Sequence, residues 1–151
     1  MPKLSIIIPC YFNEENIPVT AQTLIENEKE FDADVEFEYV LVDDGSKDRT
    51  YDAILAFHKE YPHKVKAVKL ASNVGSHSAI LAGLHYATGD VCVILAADLQ
   101  DPPELIPKMY GYWKQGLKLV LANRTDREES LGQRFFATTF HALIKRLALK
   151  N

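Results

Sequence analysis

The chain has 151 residues, 47% of them hydrophobic and 25% charged, with a formal net charge of −4. That composition fits one globular domain and excludes a disordered chain, and the length falls short of the roughly 200 residues that a (β/α)8 barrel needs. The charge balance is −7 over residues 1–123 and +3 over 124–151, so an acidic body carries a basic tail; this argues against a broad nucleic-acid surface and suits a tail that meets a phosphate or an anionic surface.

Short β-branched runs alternate with longer stretches of helical periodicity. Leu4–Pro9 reads as a buried strand, ended by Pro9. Glu15–Glu30 reads as a helix with Ile17, Ala21, Leu24 and Ile25 on one face. Glu36–Val42 is a second strand. Asp48–Tyr61 is a helix capped by Ser46 or Asp48. Val65–Leu70 is a third strand, Gly75–Ala87 a helix and Asp90–Leu95 a fourth strand. Pro102–Gln115 is a helix with proline in its first turn, a favoured position. Leu117–Ala122 is expected as a fifth strand and Leu131–Lys150 as a long last helix. Strands alternating with helices of about a dozen residues predict βαβ crossovers and an α/β fold with a mostly parallel sheet.

No apolar run approaches the roughly 18 residues of a membrane helix. The first residues enter a strand at once, without the charged leader, apolar stretch and cleavage site of a secretory signal. Cys10 and Cys92, each in an apolar context, are expected as two buried free thiols in a reducing compartment. The last helical pattern reaches Asn151 without a cap, and the natural protein is expected to continue beyond it.

In an open parallel sheet, ligands bind beyond the carboxyl ends of the strands. After the first strand, Tyr11 offers a ring for stacking on a base, and Asn13, Glu14 and Glu15 suit a helix start. After the second, Asp43 and Asp44 are adjacent carboxylates that repel unless a base N–H, a ribose hydroxyl or a cation compensates. The third loop, Ser72–Ser78, contains Asn73, Gly75 and His77. It reads as a turn with free N–H groups at an anion position, and the GxGxxG fingerprint is absent. After the fourth strand, Asp98 and Gln100 alternate, so an extended segment would point both side chains the same way, toward a hard divalent cation; Asp101 reads as a helix cap. After the fifth come Arg124 and Arg127, with Arg134 beyond, whose forks match phosphate.

Five segments carry a family resemblance: residues 5–17 (SIIIPCYFNEENI), 39–50 (YVLVDDGSKDRT), 70–90 (LASNVGSHSAILAGLHYATGD), 96–106 (AADLQDPPELI) and 122–127 (ANRTDR). In order and spacing they resemble the inverting glycosyltransferases of family 2, with the Rossmann-like GT-A fold, and within them the polyprenyl-phosphate glycosyltransferases. The resemblance implies a nucleotide-sugar-binding core over 1–123 and an acceptor-side segment with an amphipathic helix over 124–151. It implies that Pro9, Tyr11 and Glu14 line the base pocket, that Asp44 bonds the base and Asp43 lies close to the ribose. Asn73 and Gly75 fall among the donor-binding groups. Asp98, helped by Gln100, would hold Mg²⁺ or Mn²⁺, and Arg124 and Arg134 would face an acceptor phosphate. Three positions depart from the family pattern: Ala96 stands at the first Asp of the usual DxD, Asn13 sits one place late, and Ser72 replaces a frequent basic residue.

The expected reaction moves a sugar from a nucleoside diphosphate sugar to a polyprenyl phosphate with inversion. A phosphate acceptor is already anionic and needs little general-base help; a sugar hydroxyl, as in cell-envelope polysaccharide synthesis, would need a carboxylate, for which Asp126 is the candidate. Leu131, Phe135, Phe136, Phe140, Leu143, Ile144 and Leu147 form an apolar stripe flanked by Arg134, Lys145, Arg146 and Lys150. That pattern suits either core packing or the cytoplasmic face of a membrane. A non-catalytic nucleotide-sugar-binding module is the alternative; a nicotinamide oxidoreductase lacks its glycine signature.

Overall fold

A computed structural model describes residues 1–123. Within it Met1–Val120 form one compact unit. The elements are β1 (Lys3–Cys10), α1 (Asn16–Asn27, continued by a 3-10 turn to Glu30), β2 (Glu36–Asp43), α2 (Thr50–Glu60), β3 (Val65–Lys69), α3 (Ser76–Tyr86), β4 (Val91–Ile94) and, after a 3-10 turn at Pro103–Leu105, α4 (Ile106–Lys114). The strands form one sheet in the order β3-β2-β1-β4, and every pairing is parallel.

Alternation along the strands builds two cores. Leu4, Ile6 and Ile8 of β1, with Phe37, Tyr39 and Leu41 of β2, face Ile17 and Leu24 of α1, Ile54 and Phe57 of α2, and Ile106 and Tyr110 of α4. Ile7, Val40 and Val42 point the other way, onto Ala79 of α3. Gly83 lets α3 lie close on that face: a Cβ there would collide with Cγ2 of Ile7. At the amino end of the same face, Glu38 is 2% exposed. Its carboxylate accepts hydrogen bonds from Ser5 Oγ (2.6 Å), Thr88 N (2.7 Å) and Thr88 Oγ1 (2.7 Å), and pairs with Lys66 Nζ at 2.7 Å and Lys3 Nζ at 3.5 Å. Burial pushes this carboxyl up, but the bonds from Lys66, Ser5 and Thr88 outweigh it and hold it at about 2.

Three expectations are corrected. Leu117–Ala122 is not a strand. Its alternating pattern finds no ladder partner among the described residues, and Leu117, Leu119 and Leu121 are exposed. Cys92 is exposed rather than buried, because it lies on the α3 side of β4, where Ile94 too is half exposed. Cys10 is buried as expected, its thiol raised to about 12 by burial and by the neighbouring Asp43. Finally, β1 does not end at Pro9 but runs on to Cys10. The β4 ladder has already closed with Leu95 N donating to Ile7 O, so the side on which proline lacks a donor needs none.

Candidate active site

The strand order reverses at β1/β4, and the loops after all four strands lie at the carboxyl edge of the sheet. Hydrogen bonds running between loops define the site. Asp44 N donates to Cys10 O at 2.8 Å, and Leu70 N donates to Asp43 O at 2.9 Å, extending the ladder beyond the strands. Phe12 N donates to Ser46 Oγ (3.1 Å), Asn13 N to Thr50 Oγ1 (2.8 Å) and Arg49 N to Glu14 Oε2 (2.7 Å). The first loop is thus pinned to the second at three successive residues.

Of the two cap candidates read from the sequence, Ser46 and Asp48, Ser46 instead holds the first loop. Asp48 takes the helix start: its Oδ1 accepts Thr50 N at 3.1 Å, and although burial pushes its carboxyl up, hydrogen bonds from Thr50 and neighbouring amides together outweigh it and hold it below the usual range. Asn13 closes its own turn, accepting Tyr11 N on Oδ1 at 2.7 Å, while its carbonyl receives Asn16 N and Ile17 N at the entry of α1. Nothing in the one-dimensional pattern signals the Phe12–Ser46 and Asn13–Thr50 bonds, which join residues 34 and 37 positions apart.

Asp43 and Asp44 have different environments. Both are buried. Asp44 spans to the third loop: Val74 N donates to its Oδ1 at 2.8 Å and Gly75 N to its Oδ2 at 3.0 Å. Its charge therefore sits at the amino end of α3, where the helix dipole favours it. The amides of Val74 and Gly75, expected to be free for an anion, are engaged by this carboxylate. Gly45 makes the approach of the two loops feasible. Its φ is +70°, and a Cβ there would lie 2.5 Å from the carbonyl carbon of Ser72. Asp43 accepts Ser46 N on Oδ1 at 3.0 Å, while its Oδ2 is buried with no hydrogen-bond partner among the described residues. A buried acceptor left open is costly unless something fills it.

Two non-glycine residues adopt positive φ, and both lie in these loops: Phe12 at +53° and Leu99 at +56°. Such backbone costs on the order of 1 kcal/mol per residue and concentrates at functional sites. Tyr11 and Phe12 are each about half exposed, with ring centroids 4.6 Å apart at 81°. Leu99 reverses the chain after β4, so Asp98 and Gln100 lie in a turn and not in the extended segment read from their spacing. Leu99 N bonds Ala96 O, and Asp98 Oδ1 accepts Gln100 N at 3.2 Å. Asp98 is exposed. Pro102 stands at the cap position of the following turn, one residue after Asp101.

Among the described residues no three His, Cys, Asp or Glu side chains gather to hold a metal. The donors present fit a different arrangement. Asp98 and Gln100 offer hard oxygens at the sheet edge, the kind of sparse set that binds Mg²⁺ or Mn²⁺ jointly with a substrate phosphate and water. Arg124, Asp126 and Arg134 lie outside the described residues.

A four-stranded parallel sheet with its acidic and aromatic loops gathered at the switch point defines an α/β domain of the GT-A, nucleotide-diphospho-sugar transferase type. The sequence matches Glycosyl transferase family 2 over residues 5–150, and the chain belongs to that family. It is 37% identical over 148 residues to an undecaprenyl-phosphate 4-deoxy-4-formamido-L-arabinose transferase of Pectobacterium carotovorum, a match covering 98% of this chain and 45% of that protein. The chain therefore spans about half the length of the curated relatives it matches. Among solved structures, the mannosyltransferase PcManGT of Pyrobaculum calidifontis, in complex with GDP-Man and Mn²⁺, superposes with a TM-score of 0.53 at 26% identity, over 67% of this chain and 33% of that one. A mycobacterial protein shares the fold with a TM-score of 0.61 at 21% identity, over 97% of this chain and 47% of its own.

Proposed function

We propose that this chain supplies the donor-binding part of an inverting glycosyltransferase that moves a sugar from a nucleoside diphosphate sugar to a polyprenyl phosphate. The observation that carries the reading is the carboxyl edge of the sheet, where an exposed aromatic pair, a buried Asp43 oxygen without a hydrogen-bond partner among the described residues and an exposed Asp98 lie at the ends of β1, β2 and β4. Each suits one portion of such a donor: a flat base, a hydroxylated ribose and a diphosphate. The name of the Pectobacterium relative supports the lipid-phosphate acceptor, and the GDP-Man and Mn²⁺ of the Pyrobaculum enzyme support the donor class and the cation.

In this reading Tyr11 stacks on the base, with Pro9 and Glu14 beside it. Asp43 Oδ2 accepts a ribose hydroxyl. Asp44 bonds the base through lone pairs left over from Val74 and Gly75, while Asn73 and Gly75 border the donor. Asp98 and Gln100 hold the divalent cation, which when bound neutralises charge on the departing diphosphate. Arg124 and Arg134 attract the acceptor phosphate, which attacks the anomeric carbon from the face opposite the diphosphate. Asp126 acts as base only if the acceptor is a hydroxyl. Residues 1–123 then form the donor core and 124–151 the acceptor side, placed at the cytoplasmic membrane surface. No helix among the described residues is long and apolar enough to cross a membrane.

Calorimetric titration of UDP, GDP and their common sugar conjugates, with Mn²⁺ or Mg²⁺ and then with chelator, tests the proposal. Metal-dependent binding of one nucleotide is the expected result. Absence of binding to all of them refutes it.

A further inference from the structure

We propose that Phe12 forms, with Tyr11, an aromatic corner that grips the donor's base on two sides. The inference rests on the nucleotide-sugar reading above and adds to it a residue that sets affinity for the base. Three observations converge on Phe12. Its ring is half exposed and belongs to neither hydrophobic core, so folding makes little use of it. Its backbone is held at φ +53°, a conformation a bulky side chain adopts only under constraint. The constraint comes from the loop itself: the amides of Tyr11, Phe12 and Asn13 donate to Asn13 Oδ1, Ser46 Oγ and Thr50 Oγ1. Three successive hydrogen bonds thus hold a strained residue so that an apolar ring stands in water at the carboxyl end of β1.

The geometry specifies the contact. At 81° and 4.6 Å the two rings cannot sandwich a base between parallel faces. They form a corner, in which a flat heterocycle stacks on one ring and presents its edge to the face of the other; both contacts are favourable for aromatic quadrupoles. A pyrophosphate without a base gains nothing from such a corner.

The test compares wild type with Phe12→Gly, Phe12→Leu and Phe12→Trp in the intact chain. Affinities are measured for UDP, GDP and inorganic pyrophosphate, and the unfolding midpoint for each variant. Phe12→Gly removes the ring and accepts positive φ; Phe12→Leu keeps strain and bulk without a π face. Both are expected to weaken the nucleotide that wild type binds by roughly 3- to 10-fold, with pyrophosphate unchanged. Phe12→Trp should stay within about 2-fold. Phe12→Gly should unfold no earlier than wild type, which separates loss of grip from loss of fold. Nucleotide affinity unchanged in both Phe12→Gly and Phe12→Leu, with wild type binding, overturns the corner alone. A wild type that binds no nucleoside diphosphate overturns the donor reading, and the corner with it.

Discussion

Asp44 and Asp98 are both carboxylates at strand ends, yet their surroundings differ enough that substitution should separate them. Asp44 is buried and joins two loops through Val74 N and Gly75 N; Asp98 is exposed and bonds only within its own turn among the contacts described. Asp44→Ala strands two amides and is expected to weaken the nucleotide by roughly tenfold, with or without metal, together with a stability loss of about 1–3 kcal/mol. Asp98→Ala should leave the fold intact and remove only the metal-dependent part of binding; equal titrations of wild type and Asp98→Ala in Mn²⁺ would exclude Asp98 as a cation ligand. Glu38 gives a stability counterpart. Its folded carboxyl lies at about 2 against an ordinary 4.5, so its contribution is fully present above pH 4.5 and is lost as pH falls toward 2. Glu38→Gln should therefore cost about 3 kcal/mol at pH 7 and flatten the dependence of urea unfolding between pH 4.5 and 2.

At the level of elements, four strands and four helices were legible in the sequence because their burial is periodic, and the apolar faces of β1 and β2 need no knowledge of the partner. Boundaries moved by at most four residues, the largest shift being at the start of α4, where Pro103–Leu105 form a 3-10 turn, and the end of α1 likewise tightened into a 3-10 turn. The failure at Leu117–Ala122 has a physical basis: a period-2 pattern states that a strand could form, but a ladder needs a neighbour, and none of the described residues supplies one. The site was legible as residue types and not as partners. Side chains from one loop bonding amides of another, such as Asp44 to Gly75, leave no spacing rule behind. Helix α3 gives a test in which two effects oppose each other. Gly83→Ala gains helix propensity of about 1 kcal/mol, but its Cβ meets Ile7, a branched side chain fixed in the central strand. Overpacking of that kind costs about 1–3 kcal/mol, so net destabilisation is expected in chemical denaturation.

For the molecule as a whole, the two cysteines report on which face of the sheet is covered. Cys10 lies in the core with a thiol raised to about 12, while Cys92 lies on the exposed side of β4, its thiol raised by burial and by Glu38. One thiol should react with Ellman's reagent in the native protein, slowly and faster at alkaline pH, and two after denaturation; rapid reaction of both would contradict the packing of β1. Under the proposed function, the acidic residues 1–123 carry the donor side and the basic residues of 124–151 supply the charge that attracts the anionic acceptor.

The bonds that run between the first three loops have a consequence for how donor preference could change. Glu14 serves Arg49, Ser46 serves Phe12, and Asp44 serves Val74 and Gly75, so no loop keeps its conformation without residues borrowed from another. Transplanting any one of them from a relative would bring in side chains whose partners stay behind. Under the proposed function, donor choice would be exchanged as a set of three loops, and chimaeras cut between them should lose binding before they gain a new preference.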